Sequence, residues 1–287
     1  MVGPQMHLRR RRSVLFVPAS SPRALDKARS LDCDVVIVDL EDSVAPEAKD
    51  AARTSMAAAV QAGFGGREVI VRCNGLDTVW GEADVLAAAR AGADGVLAPK
   101  IRTAADVAEV DQRFAPARPG ALVWAMIETA GAVMALREIA AAAGATRLGG
   151  LVLGPNDLSA ELRSRLELGR RPLQPILIQL VAAARANGLA VLDGAFNDLE
   201  DLAGFEAECR QGVEFGFDGK TLVHPGQIEA CNRLFSPSAE DVSWARAVVA
   251  AFNAPEAQDK GAIRLQGRMV ERLHLNDALR VLALDER

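Results

Sequence analysis

The chain has 287 residues, 50% apolar and 25% charged, with a formal net charge of −5. That is the balance of a globular protein with enough apolar material for a sizeable core. The acidic balance argues against a nucleic-acid or anionic-membrane partner, and with no tyrosine and only 4% aromatics a base-stacking platform is not expected either.

Cys33, Cys73, Cys209 and Cys231 lie far apart with no CxxC pair. Neither a disulfide framework nor a structural zinc site has that spacing, so reduced thiols in a cytoplasm are the expectation. The run Arg9–Arg12 precedes a short apolar stretch that Pro18 interrupts, too short for a secretory signal. No window is long and apolar enough for a bilayer span. The first eight residues read as a frayed tail, and the arginines as mostly solvated.

From there the chain alternates between short β-branched runs and alanine-rich amphipathic stretches. Val14–Pro18 leads to a helix starting at Ser21 and Pro22, a capping serine followed by a first-turn proline. Val35–Leu40 leads to Lys49–Ala62, Val69–Cys73 to Ala83–Ala91, and Gly95–Pro99 to Ala104–Phe114. Leu122–Ile127 leads to Ala130–Ala143, and Gly150–Leu153 to a polar insertion and then Ile176–Asn187. Ala190–Leu192 leads to Leu199–Gln211, and Phe217–Val223 to Gln227–Phe235. Eight strand–helix units with near-continuous apolar strands predict a closed (β/α)8 TIM barrel. The turn after the first strand, Pro18–Pro22, has no glycine, so a dinucleotide-binding open sheet is not indicated. Residues 1–237 are assigned to the barrel and 238–287 to a C-terminal helical extension. The extension reads as a helix over Ser238–Phe252, a polar stretch over Asn253–Gly267 and a helical pattern over Arg268–Leu284. It is too short to be a domain and must pack on its own barrel or on a neighbouring subunit.

In such a barrel, function collects where the strands end at their C-terminal side. The polar residues predicted there are Asp39, Glu41 and Asp42, Arg72 and Asn74, Lys100, Glu128, Asn156 and Asp157, Asp193, and His224. Glu128 and Asp157 follow adjacent strands, and two neighbouring carboxylates suit Mg²⁺, which takes one or two carboxylates and completes its octahedron with water and substrate oxygens. Acidic residues are equally at home at a helix start or beside a lysine or arginine. Arg72 suits bidentate capture of a carboxylate, or a salt bridge to the acidic rim. Lys100 suits a Schiff base or, among acidic neighbours, a protonated electrostatic role. His224 suits a base, a metal ligand or a turn buttress ahead of Pro225.

Taken together, Arg12–Pro18, Asp39–Val44, Val71–Asn74, Ile127–Ala130, Gly154–Leu158, Gly219–Pro225 and Gly267–Met269 resemble the citrate lyase β-subunit-like branch of the HpcH/HpaI aldolase family. The resemblance runs from Arg12 to about Leu284. It implies Mg²⁺ held by Glu128 and Asp157, and Arg72 gripping a carboxylate of an oxaloacetate- or glyoxylate-like keto acid. Glu128 is thereby also a substrate-side and catalytic residue. Asp39 and Glu41 are expected at the substrate, where with Asp42 they order metal-bound water or position Arg72. The implied reaction is Claisen-type cleavage or formation of a citryl- or malyl-CoA-type thioester, with an acyl-CoA or acyl-carrier partner and a homotrimeric or hexameric assembly. Relatives carry an acid/base aspartate that reaches a neighbouring subunit's site. Here Gly267-Arg268-Met269-Val270-Glu271 puts Glu271 in its place, one methylene longer, and the proline common two residues later is missing. A Mg²⁺ aldolase acting on free hydroxy-keto acids and a non-catalytic subunit holding a carrier protein are the alternative readings.

Overall fold

The computed structural model describes residues 9–257 and 259–285; the expected frayed tail, residues 1–8, lies outside them. Eight parallel strands close into a barrel in sequence order: β1 (Ser13–Pro18), β2 (Val35–Asp39), β3 (Glu68–Arg72), β4 (Gly95–Ala98), β5 (Leu122–Ile127), β6 (Leu148–Leu153), β7 (Ala190–Asp193) and β8 (Gly219–Leu222). The register runs Val35↔Glu68 and Asp39↔Arg72 between β2 and β3, and Ser13↔Lys220 where β8 closes on β1. Strands such as Val35–Asp39 are buried at every position because the barrel interior lies on one face and the helices on the other. The helices start where small polar residues offer side-chain acceptors: Ser21, Thr103 and Thr129 each accept from a backbone N–H of the following first turn. The helix expected over 130–143 is broken, running Ala130–Met134 and Leu136–Ala141 about a non-helical Ala135.

Inside the barrel, Val14, Val35, Ile37, Ile70, Leu97, Trp124, Met126, Val152, Ala190 and Leu192 form one apolar cluster. Trp124 is the bulkiest member, and Gly150 makes room for it, since a Cβ there would overlap the ring. Arg11 stacks over this ring at 5.0 Å and pairs with buried Glu68 at 2.6 Å. Arg12 holds Asp34 through Nε and Nη2, 2.9 and 2.8 Å from its two oxygens. The expectation of solvated arginines is therefore corrected for Arg11 and Arg12. Their guanidiniums answer carboxylates at the N-terminal end of the barrel, which the linear sequence does not bring near.

Among the described residues the contacts divide the chain into a barrel unit, residues 11–232, and a second unit made of residues 9–10 and 233–285. In the second unit a helix, Ala239–Asn253, is capped by Ser238 and packs on the last helix, Arg272–Asp285. Ala245, Val248, Phe252, Val270 and Ala278 form its core. The stretch read as polar and then helical contains instead an antiparallel hairpin, β9 (Ala262–Leu265) and β10 (Arg268–Glu271). Gln266 and Gly267, with φ of 50° and 81°, make the two-residue turn whose twist suits a hairpin. No helix among the described residues is long and apolar enough to cross a membrane.

Candidate active site

Side chains alternate along a strand, so the barrel cluster fixes which polar residues face inward at the C-terminal ends. Val35 and Ile37 lead in phase to Asp39, Ile70 leads to Arg72, and Trp124 and Met126 lead to Glu128. Three functional groups from three strands are thus brought to one barrel mouth by period two alone. All three are buried, Asp39 and Glu128 to 1% exposure and Arg72 to 7%.

Arg72 is held on several sides. Its Nε and Nη2 donate to the two oxygens of Asp39 at 2.6 and 2.8 Å. Nη1 donates to Asp42 at 3.2 Å and lies 2.9 Å from Glu41 Oε2, and the guanidinium stacks on Phe16 at 4.7 Å. Burial alone would raise the Asp39 carboxyl, but the hydrogen bonds and charge of Arg72, with Ser43 and the Glu41 N–H, outweigh it and hold Asp39 low. Glu41 has weaker compensation. Burial pushes it up to about 8, Arg72 and Lys100 oppose that, and Asp42 and Glu128 add to it. Asp39 therefore spends both oxygens on Arg72 and its own turn. The Nε edge of Arg72 is occupied, which leaves one hydrogen on Nη1 and one on Nη2 for a ligand.

Behind this cluster lies a second set of fixed groups, of which sequence reasoning had singled out only Asn74. Lys49, 5% exposed, donates to the carbonyls of Leu40 and Glu41 and to Asn74 Oδ1, each at 2.8 Å. Asn74 donates in turn to Asp84 at 2.6 Å, and Arg53 pairs with Asp84 at 2.7 Å. The signal available was Lys49 itself, a cation in the first turn of a helix, where the dipole disfavours it unless acceptors are waiting.

Glu128 follows β5, while Asp157 lies in the first turn of the helix Pro155–Glu161 after β6 rather than on the strand end. Lys100 joins them. Its Nζ is 2.7 Å from Asp157 Oδ1 and 3.3 Å from Glu128 Oε1, and its backbone N–H donates to the same Oε1 at 2.7 Å. Lys100 reaches Glu128 with both ends because its backbone is left-handed, φ 55°, a conformation costly for a residue with a Cβ. Glu128 Oε2 is buried and accepts no hydrogen bond. Gly154 lies against it, so close that a Cβ there would sit 2.7 Å from Oε2. Burial raises the Glu128 carboxyl and Asp157 adds to that, against the N–H and ammonium of Lys100. Two convergent carboxylates on a cation, one with a bare buried oxygen, are a donor set suited to a hard divalent ion with two protein ligands. Among the described residues no group of three or more His, Cys, Asp and Glu side chains gathers as a cage. Beside Lys100 a cavity of about 240 Å³ opens between the β3 and β4 ends.

Asp193 and His224 stand elsewhere. Asp193 follows inward-facing Leu192, so its phase is opposite, and it is fully buried against Arg170 at 2.6 Å and Lys220 at 2.9 Å. Glu208 completes this charge-balanced set through Lys220 at 2.7 Å. His224 accepts from the Gly226 N–H at 3.1 Å and caps the turn beginning at Pro225. Glu271 belongs to the second unit, where it ends β10 and its N–H donates to His274 Nδ1 at 2.9 Å.

The fold and the rim of polar groups define a (β/α)8-barrel protein whose chemistry-bearing side chains collect at the C-terminal mouth. Residues 12–225 match the HpcH/HpaI aldolase/citrate lyase family, and the chain belongs to that family. It is 45% identical over 276 residues to a (3S)-malyl-CoA thioesterase of Cereibacter sphaeroides (strain KD131 / KCTC 12085), covering 96% of this chain and 94% of that one. It is 34% identical to the citrate lyase subunit beta of Escherichia coli (strain K12), covering 98% and 95%. The solved structure of CitE from Mycobacterium tuberculosis in complex with magnesium, acetoacetate and coenzyme A superposes with a TM-score of 0.78 at 30% identity, covering 98% of this chain and all of that one.

Proposed function

We propose that the protein is a Mg²⁺-dependent carbon–carbon lyase that cleaves or forms a malyl- or citryl-CoA-type thioester, with an oxaloacetate- or glyoxylate-like keto acid and an acyl-CoA as the other reactants. The observation that carries this reading is the convergence of Glu128 and Asp157 on one cation, in a chain whose relatives and structural neighbours act on or bind CoA thioesters, keto acids and magnesium.

Glu128 and Asp157 would hold the metal, which when bound supplies a Lewis acid for the substrate oxygen that alternates between ketone and alkoxide. Arg72 presents its two remaining hydrogens to the keto-acid carboxylate. Asp39 fixes the angle of that guanidinium, so the keto acid meets the enolate-forming partner in one orientation. Lys49 holds the Leu40–Glu41 turn that carries the acidic wall around Arg72. Glu271 of a neighbouring subunit in a trimer or hexamer would remove the proton from the acyl-thioester methyl group in condensation and return it in cleavage.

A second reading has a specific support: the 45% identical relative is named a thioesterase. The same bound substrate would then lose its thioester to water. Incubation with Mg²⁺ and malyl-CoA, following keto acid and free thiol separately, tells the two apart. Keto-acid release with acetyl-CoA supports the lyase, and malate with free CoA the thioesterase. Neither product from malyl- or citryl-CoA would refute the proposal.

A further inference from the structure

Lys100 stands where the metal reading places a divalent ion. Its ammonium touches Asp157 at 2.7 Å and Glu128 at 3.3 Å, and no other side-chain cation pairs with either carboxylate among the described residues. A lysine in that position neutralises two carboxylates that would otherwise repel each other. A divalent ion bound by the same oxygens would bring like charge against the ammonium, so the two cations exclude one another there.

The surroundings give the lysine somewhere to go. Lys100 also lines the cavity of about 240 Å³ between the β3 and β4 ends, where the acidic residues Asp77, Asp106 and Glu109 outnumber the other cation, Arg102. Its side chain is 31% exposed and carries a flexible four-carbon stem. The backbone N–H bond from Lys100 to Glu128 Oε1, at 2.7 Å, does not depend on where the ammonium points. One residue can therefore keep Glu128 oriented while its charge moves away.

We infer that Lys100 is a built-in competitor for the metal position: its ammonium occupies the Glu128–Asp157 pair when no divalent cation is bound, and it turns toward the adjoining acidic cavity when one binds. This rests on the assignment of Glu128 and Asp157 as the metal pair. The consequence is a site whose Mg²⁺ affinity is weakened on purpose by a tethered cation, yet whose carboxylates are never left bare. A structural lysine that merely orients the two carboxylates has the opposite signature, because its removal would disorganise the site and weaken the metal.

The test is calorimetric titration of MgCl2 into the full-length wild type, Lys100→Met, Lys100→Gln and Glu128→Gln, with melting curves in EDTA and in saturating Mg²⁺. Both lysine variants should bind Mg²⁺ about fivefold more tightly, the factor equivalent to about 1 kcal/mol for a partly exposed ion pair. Both should melt lower than wild type in EDTA, and the gap should close in Mg²⁺. Unchanged or weaker Mg²⁺ binding in both lysine variants, with Glu128→Gln abolishing it, would overturn the competition and leave the metal pair standing. Wild-type affinity in Glu128→Gln would overturn the metal assignment and the competition together.

Discussion

Replacing Arg72 by lysine probes the barrel mouth at its most constrained point. The guanidinium makes two parallel bonds to Asp39, at 2.6 and 2.8 Å, and rests on Phe16 at 4.7 Å. An ammonium can replace at most one of the parallel bonds and leaves one oxygen of an almost fully buried carboxylate with only a backbone N–H, from Glu41 or Ser43, to meet it. A hydrogen bond to a charged group contributes about 1.5–3 kcal/mol, and breaking a buried ion pair outright costs about 3–5 kcal/mol. Since lysine keeps the charge, Arg72→Lys should lower the unfolding free energy by about 2–4 kcal/mol, measured by urea titration. Calorimetry with oxaloacetate at saturating Mg²⁺ should show binding weaker by about 10- to 100-fold, from the loss of a two-point contact. Mg²⁺ affinity should change far less, because Glu128 and Asp157 pair with Lys100 and not with Arg72. Oxaloacetate bound as tightly by the folded variant as by wild type would refute the carboxylate clamp and leave Arg72 as a partner of its own acidic neighbours, Asp39, Glu41 and Asp42.

The raised carboxyl of Glu41 has a defined pH signature. The folded protein holds that proton up to about 8, against an ordinary 4.5, so this group's contribution to stability is full below about 4.5 and is lost as pH rises through about 8. In EDTA, Glu41→Gln should therefore lose less stability than wild type across that window, and identical slopes would contradict the burial argument. Asp39 acts in the opposite sense: held low by Arg72, it contributes stability above its ordinary range that is lost as pH falls through its depressed value. For Glu271, turnover in Glu271→Gln should fall by about 10²- to 10⁴-fold with metal affinity unchanged. Mixing Glu271→Gln with Asp157→Asn, each nearly inactive alone, should restore part of the activity if the acid/base comes from a neighbouring subunit. No recovery after verified subunit exchange would place Glu271 in its own chain's site or outside the chemistry.

The strands were legible because most are short, largely apolar runs buried on both faces, several of them rich in β-branched residues, a pattern that a linear reading sees directly. The hairpin over Ala262–Glu271 was not, since its turn is Gln266-Gly267 rather than an asparagine–glycine pair and its strands are only half-buried. The site was legible as a set of rim residues, but not as a sorted one. Phase would have sorted part of it: Asp39, Arg72 and Glu128 continue the inward-facing series, whereas Asp193 falls on the opposite phase and is committed to Arg170 and Lys220. Lys100 follows no such rule. Its place between Glu128 and Asp157 depends on a left-handed backbone that nothing in the residue type announces, since glycine or asparagine is the usual occupant. The roles of Arg11, Arg12 and Lys49 were hidden for a related reason: their partners, Glu68, Asp34 and Asn74, are distant in sequence and meet them only once the barrel closes.

The proposed carbon–carbon chemistry depends on a magnesium ion held jointly by Glu128 and Asp157. Titration of MgCl2 into wild type, Glu128→Gln and Asp157→Asn by calorimetry tests it most directly, with circular dichroism confirming that each variant is folded. Removing either carboxylate takes away one of two protein ligands from an ion that otherwise keeps its water, so binding should fall below detection in both variants. Wild-type affinity in either folded variant would rule out Glu128 and Asp157 as the metal pair.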